Sequence, residues 1–463
     1  MPDRDDAPVR ERSLWLDSFP GSLVSRPALE ADIDVDVAIV GAGFTGLWTA
    51  YYLATLDPGL RIAVVEREIA GFGASGRNGG WASGFIAGDP SVYAQRSSSD
   101  SVLLAERATF AAIAEIGRVA HDETIECGFA HDGTLTVAYS EPQRQRLLAG
   151  LTAKRGRGIG EQDLRLLDHD ELVAYVRTPG ALAATWSPHC ARVDPARLVR
   201  GLADACERRG VTIYEQSPAD VQPGVIRTPR GSARATMVVR ATESYSVQAP
   251  GWRRRFLPLY SLMIATEPLD DAAWEQLGWR EGLTISDAHH LFFYAQRTAD
   301  GRIAIGGRGA PYRLGSPIDQ AQEHNAVVRA RLEGSLQRHF PAAAHARITH
   351  HWGGSLAVPR DWCMSITCDR ANGLAWSGGY GGHGLVAANI GGRTLADLIL
   401  ERPSDLAHLP WVGHQPRNWE PEPLRYLASK AIVSVLGSAD RSEDHTGRRA
   451  RRTRLVAPFV MGR

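Results

Sequence analysis

The sequence predicts an α/β chain, α+β overall, in which a doubly wound, mostly parallel domain is interleaved with a second domain built on a mainly antiparallel sheet. Three observations predict it. Val35, Val37, Ala38, Ile39 and Val40 make a mostly apolar run, followed at once by a glycine-rich turn, a helical stretch and a second apolar run. Residues 252–310 alternate apolar and polar positions, as a sheet with one solvated face does. The chain has 463 residues, too many for one small core.

The elements follow in order. Residues 1–32 read as an irregular leader in which Ser13, Leu14, Trp15 and Leu16 form a short helix against the body. Val35–Val40 is the first strand, a helix runs to Leu56, and Asp57-Pro58-Gly59 stops it. Arg61–Glu66 is the second strand, which completes one βαβ unit with short connections. A glycine-rich loop spans Gly71–Gly84, and a long helix is expected at 100–120. Strands are expected near 133–139, 182–186 and 211–215, and Pro195–Gly210 reads as a helix ended by its glycine. Ala235–Thr242 is another buried strand, returning to the first sheet. After the alternating region come a helix at 317–339, a strand at 373–377, a second glycine turn and a helix at 384–400. The expected organisation is a leader at 1–32, a first domain from 33–120, 190–250 and 350–410, a second from 121–189 and 251–349, and an extension at 411–463.

Composition excludes several classes. Fifty-two basic residues balance 52 acidic ones, so charge gives no reason to expect nucleic acid or an anionic membrane as partner. The five cysteines, Cys127, Cys190, Cys206, Cys363 and Cys368, are odd in number and have no CxxC spacing or histidine cluster. That argues against a disulfide framework or a bound metal and for a reducing cytosol. The first 30 residues lack a signal-peptide core, and no apolar run approaches the ~20 residues of a membrane helix. A soluble cytoplasmic protein is the expectation.

Three motifs carry the chemistry. Gly41, Gly43 and Gly46, with Phe44 and Thr45 between them, lie between a strand and a helix, where a dinucleotide fingerprint belongs. Gly41 permits the tight turn, Gly43 lets backbone N–H groups approach a pyrophosphate, and Gly46 lets the helix lie close to the sheet. The helix N-terminus adds donors and partial positive charge for the anion. Glu66, followed by Arg67, ends the second strand twenty residues later, where a carboxylate can accept ribose hydroxyls. The second motif runs through Gly73, Ala74, Ser75, Gly76, Arg77, Asn78, Gly79 and Gly80, whose small residues let the backbone pass under a flat ring. The third is Gly379, Tyr380, Gly381, Gly382, His383, Gly384 and Leu385, opening a helix whose N-terminus would stabilise negative charge on a reduced ring.

These segments, in this order and spacing, resemble the glycine/sarcosine/D-amino-acid oxidase superfamily over residues 33–430. Residues 73–80 look like the gamma-glutamylputrescine oxidoreductase branch; Gly46–Ala50, Ala265–Leu269 and Gly306–Gly309 look like its aminophosphonate oxidoreductase relatives. The resemblance implies a Rossmann-like FAD-binding domain, FAD as cofactor, a substrate domain whose large sheet lies over the isoalloxazine, and oxidation of a C–N bond. It also implies that Ala219 passes near the adenine and that Thr242 belongs to the cofactor site. Two departures accompany it. Ala304 stands where sarcosine-oxidase relatives place an oxygen-activating lysine, and neither Lys154 nor Lys430 lies in a flavin motif, so either oxygen or another electron acceptor is open. In Thr242-Glu243-Ser244, relatives usually have glycine at the third position. Cys363, before Met364, falls near the position of a flavin-linked cysteine in sarcosine oxidases, and its other reading is a small core residue.

The expected reaction is hydride transfer from the α-carbon of a neutral small amine or amino acid to flavin N5, giving an imine that hydrolyses. His383, Arg308 and Tyr294 are the catalytic candidates; Trp81, His290 and Arg360 are the substrate candidates. An arginine there could hold a carboxylate or phosphonate by forked hydrogen bonds. The alternatives are a flavin-dependent monooxygenase or tailoring oxidase of a biosynthetic pathway, and a flavin-binding interaction protein acting through 411–463. The amine and the oligomeric state stay open.

Overall fold

The computed structural model describes residues 7–307, 309 and 312–460. The first sheet has the spatial order Ser365–Asp369, Leu374–Gly378, Ser232–Arg240, Ile33–Val40, Ile62–Val65 and Thr212–Tyr214. Four of the five pairings along this row are parallel: Val37 sits opposite Met237 on one side and Ile62 on the other. A hairpin, Asp220–Gln222 with Val225–Arg227, extends the edge of Ser232–Arg240. Ala38, Ile39, Val64, Val238 and Val239 are fully buried, which a sheet covered on both faces requires.

Two helices, Phe44–Leu56 and Gly384–Ile399, cover one face and cross each other closely. At the crossing a Cβ on Gly392 would stand 2.5 Å from the Trp48 Cβ. Ser99–Asp122 and Pro195–Arg208 complete this layer; Asp194 caps the latter by accepting the Arg197 N–H.

The second sheet runs Ile348–Val358, Leu257–Thr266, Ile303–Gly307, Phe293–Arg297, Thr284–Asp287, Thr134–Ala138, Ala183–Ser187 and Arg165–Leu167. It is antiparallel except between Thr284–Asp287 and Thr134–Ala138. Its core is a separate cluster that includes Leu262, Ile285, Phe293, Ile305, Leu332 and Phe340.

Three expectations are corrected. The segment assigned to the first domain from 350 begins inside the second sheet, because Ile348–Val358 pairs along the length of Leu257–Thr266; the chain rejoins the first sheet only at Ser365. The helix expected at 317–339 spans Ala326–His339, because Asn325 accepts the Val328 N–H and starts it there. The region 411–463 is more than an appendage: Leu424–Thr446 is a 23-residue helix held against the second domain. Within the leader, Leu14–Asp17 is a helix capped by Ser13, with Leu14, Trp15 and Leu16 buried.

Candidate active site

The two sheets enclose one connected cavity of about 1490 Å³, larger than the ~300–1,000 Å³ of a typical ligand pocket and of a size for a dinucleotide with a substrate beside it. One end is built by the fingerprint turn. Gly41 has φ +106°, and a Cβ on it would lie 2.6 Å from the Ala241 carbonyl oxygen. Gly46 stands behind the turn, where a Cβ would be 1.9 Å from the Gly41 carbonyl oxygen. Both positions therefore require glycine. Gly43, Phe44 and Thr45 face the cavity; Gly43 caps its helix without a side chain of its own, and the Phe44 N–H is donated to Ser75 Oγ at 2.9 Å.

Glu66 lines the cavity and receives the N–H groups of Ala42 at 2.8 Å and Glu68 at 3.0 Å. Burial raises its pKa. Beyond it, Arg67, Ala219 and residues of the 220–229 hairpin form the far wall.

The second glycine loop is held from several sides. Asn78 donates to the Ala74 and Ser75 carbonyls and accepts the Gly80 N–H at 2.8 Å. Arg77 pairs with Glu323 at 2.7 Å and donates to Tyr245 at 3.1 Å. The leader pins the loop as well: Ser13 Oγ donates to the Gly76 carbonyl at 3.0 Å and Trp15 Nε1 to the Asn78 carbonyl at 2.8 Å. Gly73, Ala74, Ser75, Arg77, Asn78 and Gly79 reach the cavity wall, whereas Gly76 and Gly80 lie behind it as packing positions.

The third motif closes the cavity from the opposite side. Tyr380, Gly381, Gly382, His383, Gly384 and Leu385 line it, with Gly379 behind. The Tyr380 hydroxyl bonds to Thr45 at 2.8 Å and Ser377 at 2.9 Å, tying the two glycine turns together. Thr242 lines the cavity beside Glu243. Glu243 has φ +40°, a left-handed backbone unusual for a residue with a side chain. Its Oε1 accepts the Tyr380 N–H at 3.1 Å, while Oε2 is buried with no hydrogen-bond partner among the described residues. Burial pushes its carboxyl up to about 8, against the backbone N–H groups that favour the ionised form.

The other end of the cavity lies under the second sheet. The Tyr294 ring spans Gly79 of one domain and Gly306 of the other, where added Cβ atoms would come within 2.6 and 2.4 Å of it. Its hydroxyl bonds to Ser261 at 2.8 Å, and Trp81 packs edge-on against it at 5.9 Å. Trp81 and Tyr294 thus meet directly over the second glycine loop. His383 lines the cavity, with Phe85 edge-on at 6.0 Å. His290 also lines it but is engaged with Arg146 at 3.3 Å and Glu443 at 3.7 Å.

Two candidates do not join this group. Arg360 pairs with Glu420 at 3.1 Å, lies 5.2 Å over the Trp419 ring and is not part of the cavity wall. The Cys363 thiol is fully buried, accepts the Asp89 N–H at 3.4 Å and is likewise off the wall; burial raises its pKa. Its neighbour Trp362, at φ +62°, faces the cavity instead. Arg308 lies outside the described residues.

Several wall residues escaped the sequence reading. Ile432, Val433 and Leu436 come from the C-terminal helix; their spacing places them on one helix face, the signal that could have found them. Ala304 is fully buried and off the wall. Lys154 reaches over the Phe85 ring, with Nζ 4.7 Å from its centre, and burial lowers its pKa.

Comparison with known proteins agrees with this geometry. A family profile described as FAD dependent oxidoreductase matches residues 36–398. Gamma-glutamylputrescine oxidoreductase of Escherichia coli strain K12 is 29% identical over 406 residues, covering 83% of this chain and 89% of that enzyme. Probable oxidoreductase OrdL of Haemophilus influenzae is 28% identical over 403 residues, covering 84% of this chain and 88% of that protein. Among solved structures, glycine oxidase from Geobacillus kaustophilus superposes with a TM-score of 0.68 at 20% identity, over 82% of this chain and 99% of that one. Among the described residues, no helix is long and apolar enough to cross a membrane. All three glycine motifs fall within the matched span, and the chain belongs to the DAO family of FAD-dependent oxidoreductases.

Proposed function

We propose that the protein oxidises a C–N bond of a small amine or amino acid. The observation that carries this reading is the continuity of the cavity: the glycine-lined cofactor end opens, without an intervening wall, onto the space under Trp81 and Tyr294. The names of the relatives support the amine class, since gamma-glutamylputrescine and glycine are both amines.

The residues fit FAD. The N-terminal end of the Phe44–Leu56 helix would face the pyrophosphate, and Glu66 would accept the ribose hydroxyls. Ala219 and the hairpin would flank the adenine, while the 73–80 loop and the turn at 379–385 would hold the ring system between them. When bound, FAD accepts the two electrons of the oxidation.

The chain's own task is binding, orientation and exclusion of water. At the Trp81–Tyr294 end the aromatic wall disfavours an ammonium and so favours the neutral amine, the form that can release its α-hydrogen. Tyr294, fixed by Ser261, and His383 are the polar groups assigned to orient that amine. The imine product then hydrolyses to a carbonyl compound. Cys363 is read as a core thiol, so FAD is held without a covalent bond.

Anaerobic mixing of the holoenzyme with primary amines, secondary amines and amino acids tests the reading through the flavin absorbance. Bleaching by one class is expected. If dithionite bleaches the flavin and no amine does, the reading is wrong. Re-admitting oxygen to the bleached enzyme then separates oxidase from dehydrogenase behaviour.

A further inference from the structure

The C-terminal helix, Leu424–Thr446, lies beyond the matched family span yet forms part of the cavity wall. Ile432, Val433 and Leu436 face the cavity, at positions i, i+1 and i+4 of one stripe. The same stripe continues to Asp440 and Glu443, which are buried and dock the helix. Asp440 accepts the backbone N–H groups of His290 at 2.9 Å and Leu291 at 3.0 Å. Glu443 pairs with Arg146 at 2.6 Å and accepts the Ala450 N–H at 3.0 Å; Asp444 meets His289 at 2.9 Å. At the other end Arg425 donates to Ser316 at 2.6 Å and to the Arg253 carbonyl at 3.0 Å. The helix is thus pinned on both sides of its cavity-facing residues, which fixes its rotation.

The docking consumes the charges. Asp287, the carboxylate on the adjoining wall, is bonded to His289 and accepts the Phe293 N–H at 3.0 Å. What the helix leaves facing the cavity is aliphatic, opposite Leu291, whose methyl would lie 3.4 Å from a Cβ on Gly437. A substrate's polar end finds no hydrogen-bond partner on Ile432, Val433 or Leu436, whereas an apolar chain replaces water on their surface.

We infer that this helix is the specificity element of the amine site, and that the preferred substrates carry an apolar alkyl or aryl body several carbons long on the reacting amine. The inference rests on the amine reading above and narrows it.

The test uses the FAD-loaded full chain and straight-chain primary amines from propyl to octyl, with dissociation constants read from perturbation of the flavin absorbance, which needs no turnover. Affinity should rise by up to about fourfold per methylene, the fold-change of burying one CH₂. Leu436→Asp should flatten that slope, and Leu436→Met should keep it. Val433→Lys should shift preference toward an amine of equal length ending in a carboxylate, which the wild type should reject by at least about tenfold. This gain cannot arise from misfolding, and flavin content per chain reports folding in every variant. A flat wild-type slope, a steep slope in a folded Leu436→Asp protein, or no shift in a folded Val433→Lys protein overturns the inference. Failure of every amine to bleach the flavin would instead sink the amine reading, while the slope could still be measured.

Discussion

Replacing Glu243 by Gln should remove a pH dependence of stability that the wild type shows between pH 6 and 8. The carboxyl is held at about 8 in the folded chain, against 4.5 ordinarily, because burial penalises its charge. The sign follows from proton counting. Between those two values the folded chain keeps a proton that the unfolded chain has released, so stability falls as pH rises. The slope is about 1.4 kcal/mol per pH unit near pH 6 and halves by pH 8, so about 2 kcal/mol is lost across the window. At ~2.1 cal/mol/K per residue, a chain of 463 residues unfolds with an entropy of about 1 kcal/mol/K, so the loss appears as about 2 °C in Tm. Gln is close in shape and keeps an oxygen for the Tyr380 N–H, so its curve should lack this component. The assay is calorimetry of flavin-free wild type and Glu243→Gln at pH 6, 7 and 8. Parallel curves for the two proteins would show that burial does not hold the carboxyl protonated, and would refute the reasoning.

Four further outcomes are expected. Gly46→Ala drives a methyl into the Gly41 carbonyl and should abolish FAD retention through gel filtration, whereas Gly150→Ala, with open space around it, should not. Glu66→Ala should weaken FAD by about 10- to 100-fold, the scale of lost charge-assisted hydrogen bonds, as read by fluorescence titration of apoprotein. Acid precipitation of the holoenzyme should leave yellow colour in the supernatant and none bound to Cys363, because the thiol is off the cavity wall. His289 is pulled down by burial, but Asp287 and Asp444 outweigh this and hold it up to about 10. Its contribution is therefore present below its ordinary 6.5 and lost as pH rises through about 10, and limited proteolysis of the C-terminal helix should accelerate over that range in wild type but not in His289→Gln.

The parts legible in the sequence were those with a steric or spacing requirement. The turn at Gly41 and Gly46 admits no side chain, and the interval to Glu66 is set by one helix and one strand, so both could be read along the chain. The strand Ile348–Val358 was misassigned because Gly353 and Gly354 interrupt it and His350 and His351 sit in its outer half; only its partner Leu257–Thr266 reveals where it belongs. Trp362 and Cys363 are adjacent in sequence but take opposite roles, since the left-handed backbone at Trp362 turns one toward the cavity and leaves the other in the core. The C-terminal helix mixes apolar and charged residues on one stripe, because the stripe must both dock and line a cavity, and such a pattern resembles a solvated tail. The nearness of Lys154 to Phe85 is a product of tertiary packing alone.

The order of strands in the first sheet sets a schedule for biosynthesis. Ile33–Val40 leaves the ribosome early, yet its neighbour Ser232–Arg240 and that strand's neighbour Leu374–Gly378 are made much later. At ~5–20 residues per second, an apolar strand waits roughly 20–70 seconds before the sheet can close. The flavin cradle cannot exist during that interval, since Tyr380 and His383 are among its last parts to be synthesised. Cofactor capture therefore has to wait until residues 379–385 have been made, late in synthesis.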